Sequence, residues 1–154
     1  MENPIIFLFS YHHMNTRKIC YAIASKIKAA IFDLSSKTEQ FDLEKYDLVG
    51  FGAGIDSGKH YPAMIQYAEK LAEVKNKKAF IFSTSGVYLE RKMRNDHRTL
   101  REILERKGFV IAGEFGCKGY NTNSILKYTG GMNKGSPTDE DIKNAETFAG
   151  KLLI

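Results

Sequence analysis

The residues from Leu8 to Ile19 (LFSYHHMNTRKI) end an apolar run at a hydroxyl, pass two imidazoles and restart as a helix near Asn15. The hydroxyls of Ser10 and Thr16, beside backbone N–H groups at the positive end of a helix, make a small space that suits a phosphate. A plain cap by Asn15 accounts for the same helix start, and both readings stand on these residues alone. His12 and His13 are adjacent, so their side chains point apart. With no carboxylate nearby in sequence, they read as phosphate contacts or loop residues rather than metal ligands. Three further stretches carry polar or small residues after apolar runs: Gly52 to Tyr61 (GAGIDSGKHY), Ser83 to Tyr88 (STSGVY) and Gly116 to Tyr120 (GCKGY). Small residues at such places let backbone donors approach a ligand.

What positions these stretches is a set of five short apolar runs: Pro4–Phe9, Ala30–Leu34, Leu48–Gly52, Ala79–Phe82 and Phe109–Phe115. They are brief, rich in Ile, Val and Phe, and nearly continuous in hydrophobicity, the pattern of parallel strands buried on both faces. Helical stripes lie between them: Ile19, Ile23 and Ile27; Met64, Ala68, Leu71 and Ala72; Leu100, Ile103 and Leu104. The last helix follows Pro137, with Thr138 and Asp141 spaced as a capping box and Ile142, Ala145, Ala149, Leu152 and Leu153 on one side. Residues 35–47 read as a loop with a helical turn, and 121–136, with Gly130, Gly131 and Gly135, as a long loop. Strands alternating with helices give an α/β fold, a doubly wound five-stranded parallel sheet with helices on both faces. In such sheets ligands bind beyond the carboxyl ends of the strands, where all four polar stretches fall.

The 154 residues fit one domain, 1–154, with a single sizeable core. No apolar run approaches the roughly 20 residues that span a bilayer, and the N-terminus has no signal-type pattern, so no membrane insertion and a cytoplasmic location are expected. Cys20 and Cys117 are the two cysteines, too far apart in sequence for a CxxC or Cys/His metal pattern. The net charge of +5 gathers around Lys75–Lys78 and Arg91–Lys107, a solvated face; the motifs of nucleic-acid binding are absent, and none is expected.

Several signatures come close and fail. A Walker A loop needs glycine at Ala53 and Ser or Thr at His60, and a dinucleotide fingerprint needs glycine at Ser57 and a place after the first strand. A receiver domain needs acidic residues after the first strand, where Phe9-Ser10-Tyr11-His12 supplies none. A low-molecular-weight phosphatase needs Arg six residues after its cysteine, where Cys117 leads to Asn123. Cys117 beside Lys118 reads as a thiol of lowered pKa or as small filler near a ligand loop.

The order of these stretches resembles the flavodoxin-like family, whose first strand leads into a hydroxyl-rich phosphate loop ending in Gly-Asn-Thr. Here that loop is Ser10, Tyr11, His12, His13, Met14, Asn15 and Thr16. Residues 46–52 (YDLVGFG) resemble the family's third strand, and residues 78–86 (KAFIFSTSG) its fourth. Residues 116–120 with Gly135, Ser136, Pro137 and Thr138 resemble a small subgroup. The resemblance covers essentially the whole chain and implies strand order 2-1-3-4-5 and flavin mononucleotide (FMN). The phosphate would sit at Ser10 to Thr16. The ring would lie between Ala53, Gly54, Ile55 and Tyr61 on one side and Ser83, Thr84, Ser85, Gly86 and Tyr88 on the other, near Cys117, Lys118 and Gly119. Tyr61, Tyr88 and Tyr120 are candidate stacking rings.

Two function classes follow. One is a redox flavoprotein, either an electron carrier between redox partner proteins or a small NAD(P)H/quinone-type reductase; the flavin does the chemistry, so no catalytic triad is needed. The basic surface favours an acidic protein partner or an anionic acceptor. The other is a flavodoxin-fold binding module that has lost the flavin, for which Met14 speaks, standing where the family carries glycine.

Overall fold

The computed structural model describes residues 3–10, 14–36, 41–119 and 135–153. Its elements are β1 (Pro4–Phe9), α1 (Asn15–Ile27), β2 (Ala30–Asp33), a 3₁₀ turn (Leu43–Lys45), β3 (Leu48–Asp56), β4 (Lys59–His60), α2 (Pro62–Glu69), β5 (Lys77–Ser85), α3 (Glu90–Asp96), α4 (Arg98–Arg106), β6 (Phe109–Lys118) and α5 (Asp139–Leu152). The main sheet runs β2-β1-β3-β5-β6, all parallel, with β4 a short antiparallel addition to β3. Skipping β4, this is the expected 2-1-3-4-5 order.

Alternation along each strand builds two cores. Ile5 and Phe7 of β1, with Val49, Phe51 and Ala53 of β3, meet Met64 and Ala68 of α2 and Leu100, Ile103 and Leu104 of α4. On the other face Ile6 and Leu8 meet Ile19 and Ile23 of α1 and Ala145 and Ala149 of α5. The expected α5 cap is present: Thr138 Oγ1 accepts the Asp141 N–H at 3.1 Å and the Asp141 carboxylate accepts the Thr138 N–H at 2.8 Å.

The strands run further than their apolar runs. β3 was expected to stop at Gly52, with a loop to Tyr61; instead it reaches Asp56 and turns back as a hairpin, because Ser57 and Gly58 both take positive φ (55° and 81°), the geometry of a two-residue hairpin turn. β5 extends through Ser83, Thr84 and Ser85, and β6 through Cys117 and Lys118, since backbone pairing continues where side chains turn polar. β2 stops one residue early, at Asp33, and α2 ends at Glu69, leaving Leu71 and Ala72 beyond it. The helix expected around Leu100 is two, α3 and α4, meeting at His97. The helical turn expected in 35–47 is the 3₁₀ turn; residues 37–40, and 121–134 of the long loop, lie outside the described residues.

Gly50 and Gly52 serve packing rather than ligand approach. A Cβ on Gly50 would lie 2.3 Å from Phe80 Cζ, and one on Gly52 2.1 Å from Phe82 Cζ, so the two rings of β5 lie across the bare backbone of β3. Overpacking of this kind costs about 1–3 kcal/mol. Gly52→Ala is therefore expected to lower the urea midpoint by about that stability at unchanged slope, and adding Phe82→Leu to recover part of it; a neutral Gly52→Ala would remove this account of β3.

Candidate functional site

The carboxyl ends of β1, β3, β5 and β6 share one edge of the sheet and bring together Ser10, Ala53, Gly54, Ile55, Ser83, Thr84, Ser85, Cys117, Lys118 and Gly119. Alternation sends Thr84 toward α1 and Ser83 toward α4. Thr84 Oγ1 lies 2.8 Å from Thr16 Oγ1, both buried. The Gly119 N–H donates to the Ser85 carbonyl at 2.9 Å, and a Cβ on Gly119 would stand 2.7 Å from Asn15 Nδ2. The helix start is thus tied to β5 and β6.

Asn15 was expected as a possible cap and is instead the first helical residue. Met14 holds the cap position at φ 54°, ψ 30°, with no side-chain cap bond. The left-handed conformation there is what a glycine adopts without a Cβ penalty. The Met14 side chain is 45% exposed, with its Sδ 3.4 Å from Arg17 Nε. Ser10 Oγ, buried, accepts the Arg17 N–H at 3.2 Å. The Arg17 guanidinium also pairs with Asp33 at the end of β2 and donates to Tyr21 Oη at 3.3 Å. Burial opposes the Asp33 charge, but hydrogen bonds from Ser35 and Arg17 outweigh it and hold its carboxyl below the usual range.

Of the candidate rings, Tyr61 covers Gly54, where a Cβ would lie 2.7 Å from it, and meets Phe9 edge-on at 6.0 Å. Tyr88 stands beside Gly116, 3.2 Å from the place of its Cβ. Tyr120, His12 and His13 lie outside the described residues. Gly86 follows β5 in a bend. Cys117 is 4% exposed and burial pushes its thiol up, so it is filler and not a thiol of lowered pKa. No group of three metal-ligating side chains occurs among the described residues.

Sequence reasoning missed a polar chain behind β5. Ser83 Oγ lies 2.6 Å from His97 Nε2, and His97 Nδ1 lies 2.9 Å from Glu114 Oε1. Glu114 also takes two bonds from Arg101, at 2.7 and 2.8 Å. His60 packs on His97 with ring centroids 4.8 Å apart. Its Nε2 lies 3.2 Å from the Phe82 carbonyl, and its Nδ1 has no hydrogen-bond partner among the described residues. The available signal was Glu114, a lone acid inside an apolar strand, which has to find cations. Burial holds His60 down to about 3, assisted by His97, and lowers His97 against the pull of Glu114. For Glu114 the bonds from His97 and Arg101 outweigh burial and bring it to about 2.

The family model described as a flavodoxin domain matches residues 6–150. This chain belongs to the flavodoxin family. It is 44% identical over 149 residues to an uncharacterized protein of Methanocaldococcus jannaschii, 97% of each chain being covered. Among solved structures it is similar to oxidised flavodoxin 1 of Bacillus cereus (17% identity, TM-score 0.71, 98% of this chain and 97% of that one). It is also similar to a Fusobacterium nucleatum flavodoxin bound to FMN (12% identity, TM-score 0.66, 99% and 98%). These likenesses show the flavodoxin fold. No helix among the described residues is long and apolar enough to cross a membrane.

The two neutral histidines give this flavodoxin-family chain an acid-sensitive core. Below the ordinary histidine pKa of 6.5 the unfolded chain takes protons that folded His60 refuses down to about 3. Stability therefore falls as pH drops from 6.5, by up to about 1.4 kcal/mol per pH unit for each excluded proton. Glu114 adds stability above its ordinary pKa of 4.5 that is lost as pH falls toward 2. Urea unfolding at pH 7, 6, 5 and 4 should show this slope, and His60→Gln should flatten it between 6.5 and 4; an equal slope in the variant would exclude His60 as its source.

Proposed function

We propose that this chain holds FMN at the ends of β1, β3, β5 and β6 and carries electrons between redox partners, as a single domain over 1–154 in the cytoplasm. The observation that carries the reading is the convergence of Ser10, Asn15, Thr16 and Thr84 at the start of α1, on the edge where a doubly wound sheet binds its ligand. The donor set fits the group: neutral hydroxyls, an amide and a helix start receive a phosphate without an added cation. The Fusobacterium flavodoxin of the same fold is bound to FMN. When bound, flavin supplies one- and two-electron transfer.

The protein's own part is to bind and orient. Ser10, Asn15 and Thr16 would hold the phosphate, with His12, His13 and Met14 completing the loop. Ala53, Gly54, Ile55 and Tyr61 would bound one side of the ring, and Ser83, Thr84, Ser85, Gly86 and Tyr88 the other, with Cys117, Lys118 and Gly119 beside it. Met14 does not refute the reading, since its sulfur lies against Arg17 and its side chain is nearly half exposed. An acidic partner protein fits the charge: Arg91, Lys92, Arg94, Arg98 and Arg101 surround an open depression beside exposed Leu89, close to the β5 loop.

A visible absorption spectrum after FMN loading and removal of the free ligand should show retained oxidised flavin; a colourless protein would return the chain to the binding-module reading. Asn15→Ala with Thr16→Ala should weaken FMN binding at least about tenfold, the worth of one charge-assisted bond, and leave riboflavin binding nearly unchanged. Equal losses for both ligands would refute the phosphate placement. Reduction by NAD(P)H alone would mark a reductase rather than a carrier.

A further inference from the structure

Helix α1 carries no acidic residue, and its outer face is left open to solvent. Met14, Lys18, Tyr21, Ser25 and Lys28 follow one another at intervals of three or four, so they lie on one side of the helix and its caps, and all are exposed. Met14 and Tyr21, 45% and 52% exposed, pack in neither core. Ile31 of β2 joins them. It pairs in register with Ile6, whose side chain faces α1, so Ile31 also stands on the α1 side of the sheet, where it is 36% exposed.

Arg17 ties this patch together. Its Nε lies 3.4 Å from the Met14 sulfur, and its guanidinium pairs with Asp33, donates to Tyr21 Oη at 3.3 Å and has its carbon 6.0 Å from the centre of the Tyr21 ring. Methionine, arginine and tyrosine are the side chains enriched where proteins meet. Here they are ordered in advance, which lowers the cost of immobilising them on binding. Met14 takes the left-handed conformation that glycine adopts without penalty, and its side chain returns no core packing for that cost. What it supplies is an adaptable apolar surface. The charge beside the patch is positive and unopposed: Asp33 neutralises Arg17, while no carboxylate pairs with Lys18 or Lys28 among the described residues. On α3 and α4, by contrast, Lys92, Arg94, Arg98 and Arg101 each have a carboxylate partner.

We propose that this face of α1 and β2 is a docking surface for an acidic protein segment, which brings carboxylates to Lys18 and Lys28 and an apolar side chain to Met14, Tyr21 and Ile31. The face lies on the opposite side of the sheet from α4, and docking there requires no flavin. An apolar centre favours protein over nucleic acid, as does the commitment of Arg17, the group best shaped for a phosphate, to Asp33.

The test is titration of the nitrogen-15-labelled full chain with a capped acidic peptide, glutamate and aspartate around a central leucine and phenylalanine, followed by two-dimensional NMR. Amide shifts should gather on residues 14–31, saturate with a dissociation constant below about 1 mM, and fade with salt as exposed charges are screened. Tyr21→Ser should weaken binding at least about fivefold, the loss of one interface anchor. Lys18→Glu with Lys28→Glu should weaken it and flatten its salt dependence. Met14→Gly separates docking from folding, since it should weaken binding while leaving the urea midpoint unchanged or higher. Shifts centred on α3 and α4, no saturation in that range, or binding untouched by both Tyr21→Ser and Met14→Gly would overturn the proposal. A single-stranded oligonucleotide that binds the same face more tightly than the peptide would overturn the choice of partner.

Discussion

Everything at the functional edge depends on the close approach of β3 and β5, and that approach depends on two rings over two glycines. Phe80 and Phe82 lie where side chains of residues 50 and 52 would be, stacked on each other at 6.0 Å. The rings fill the layer between the sheet and α1 with α5, while Gly50 and Gly52 contribute only backbone. Residues of one strand thereby furnish the packing of two. The parallel register that results, with Gly52 beside Phe82, Ala53 beside Ser83 and Gly54 beside Thr84, brings the polar ends of both strands to the same height.

The sequence is legible where one physical effect dominates. Continuous apolar runs reveal β1, β3, β5 and β6 because burial on both faces admits little else, and Thr138 with Asp141 reveals α5 because its free N–H groups need local acceptors. Element ends are less legible, since Ser83 to Ser85 and Cys117 to Lys118 pair through backbone that carries no side-chain signature. The hairpin at Ser57-Gly58 had a readable turn pair, masked by glycines that looked like a ligand loop. Long-range side-chain partners are the least legible. Nothing local joins Ser83, His97 and Glu114, whose meeting needs the α3–α4 junction to be folded over β5 and β6. Hydroxyls at the start of α1 and the end of β5 were visible as types; that Thr16 and Thr84 touch was not.

The two charged groups of partners around the strand ends follow one rule. Arg17 with Asp33 stands on the β2 side and Arg101 with Glu114 on the β6 side, each cation matched by a carboxylate. Between them stand Ser10, Thr16, Ser83 and Thr84, buried and neutral. A half-buried ion pair returns little net stability once desolvation and screening are counted, so these pairs are better understood through what they orient. Arg17 carries the backbone N–H that Ser10 accepts, and Glu114, which only accepts, puts the hydrogen on His97 Nδ1 and leaves Nε2 to accept the hydrogen bond of the Ser83 hydroxyl.

Of the cations around the strand ends, Arg17 and Arg101 are held by carboxylates, while Lys118 at the end of β6 is exposed. With Arg17 and Arg101 paired, the field at the strand ends comes from the start of α1, from fixed hydroxyl dipoles and from Lys118 at the end of β6, all of which favour a negative group over a neutral one. On α3 and the start of α4 Asp96 pairs with Lys92, Glu90 with Arg94 and Glu102 with Arg98, and Arg91 adds a further positive charge. Charge placed there steers encounters within about a Debye length and governs association rate more than affinity. Recognition of a cofactor and recognition of a partner are thus carried by different physics on adjoining surfaces: short hydrogen bonds from neutral groups at the strand ends, long-range attraction from the helices beside them.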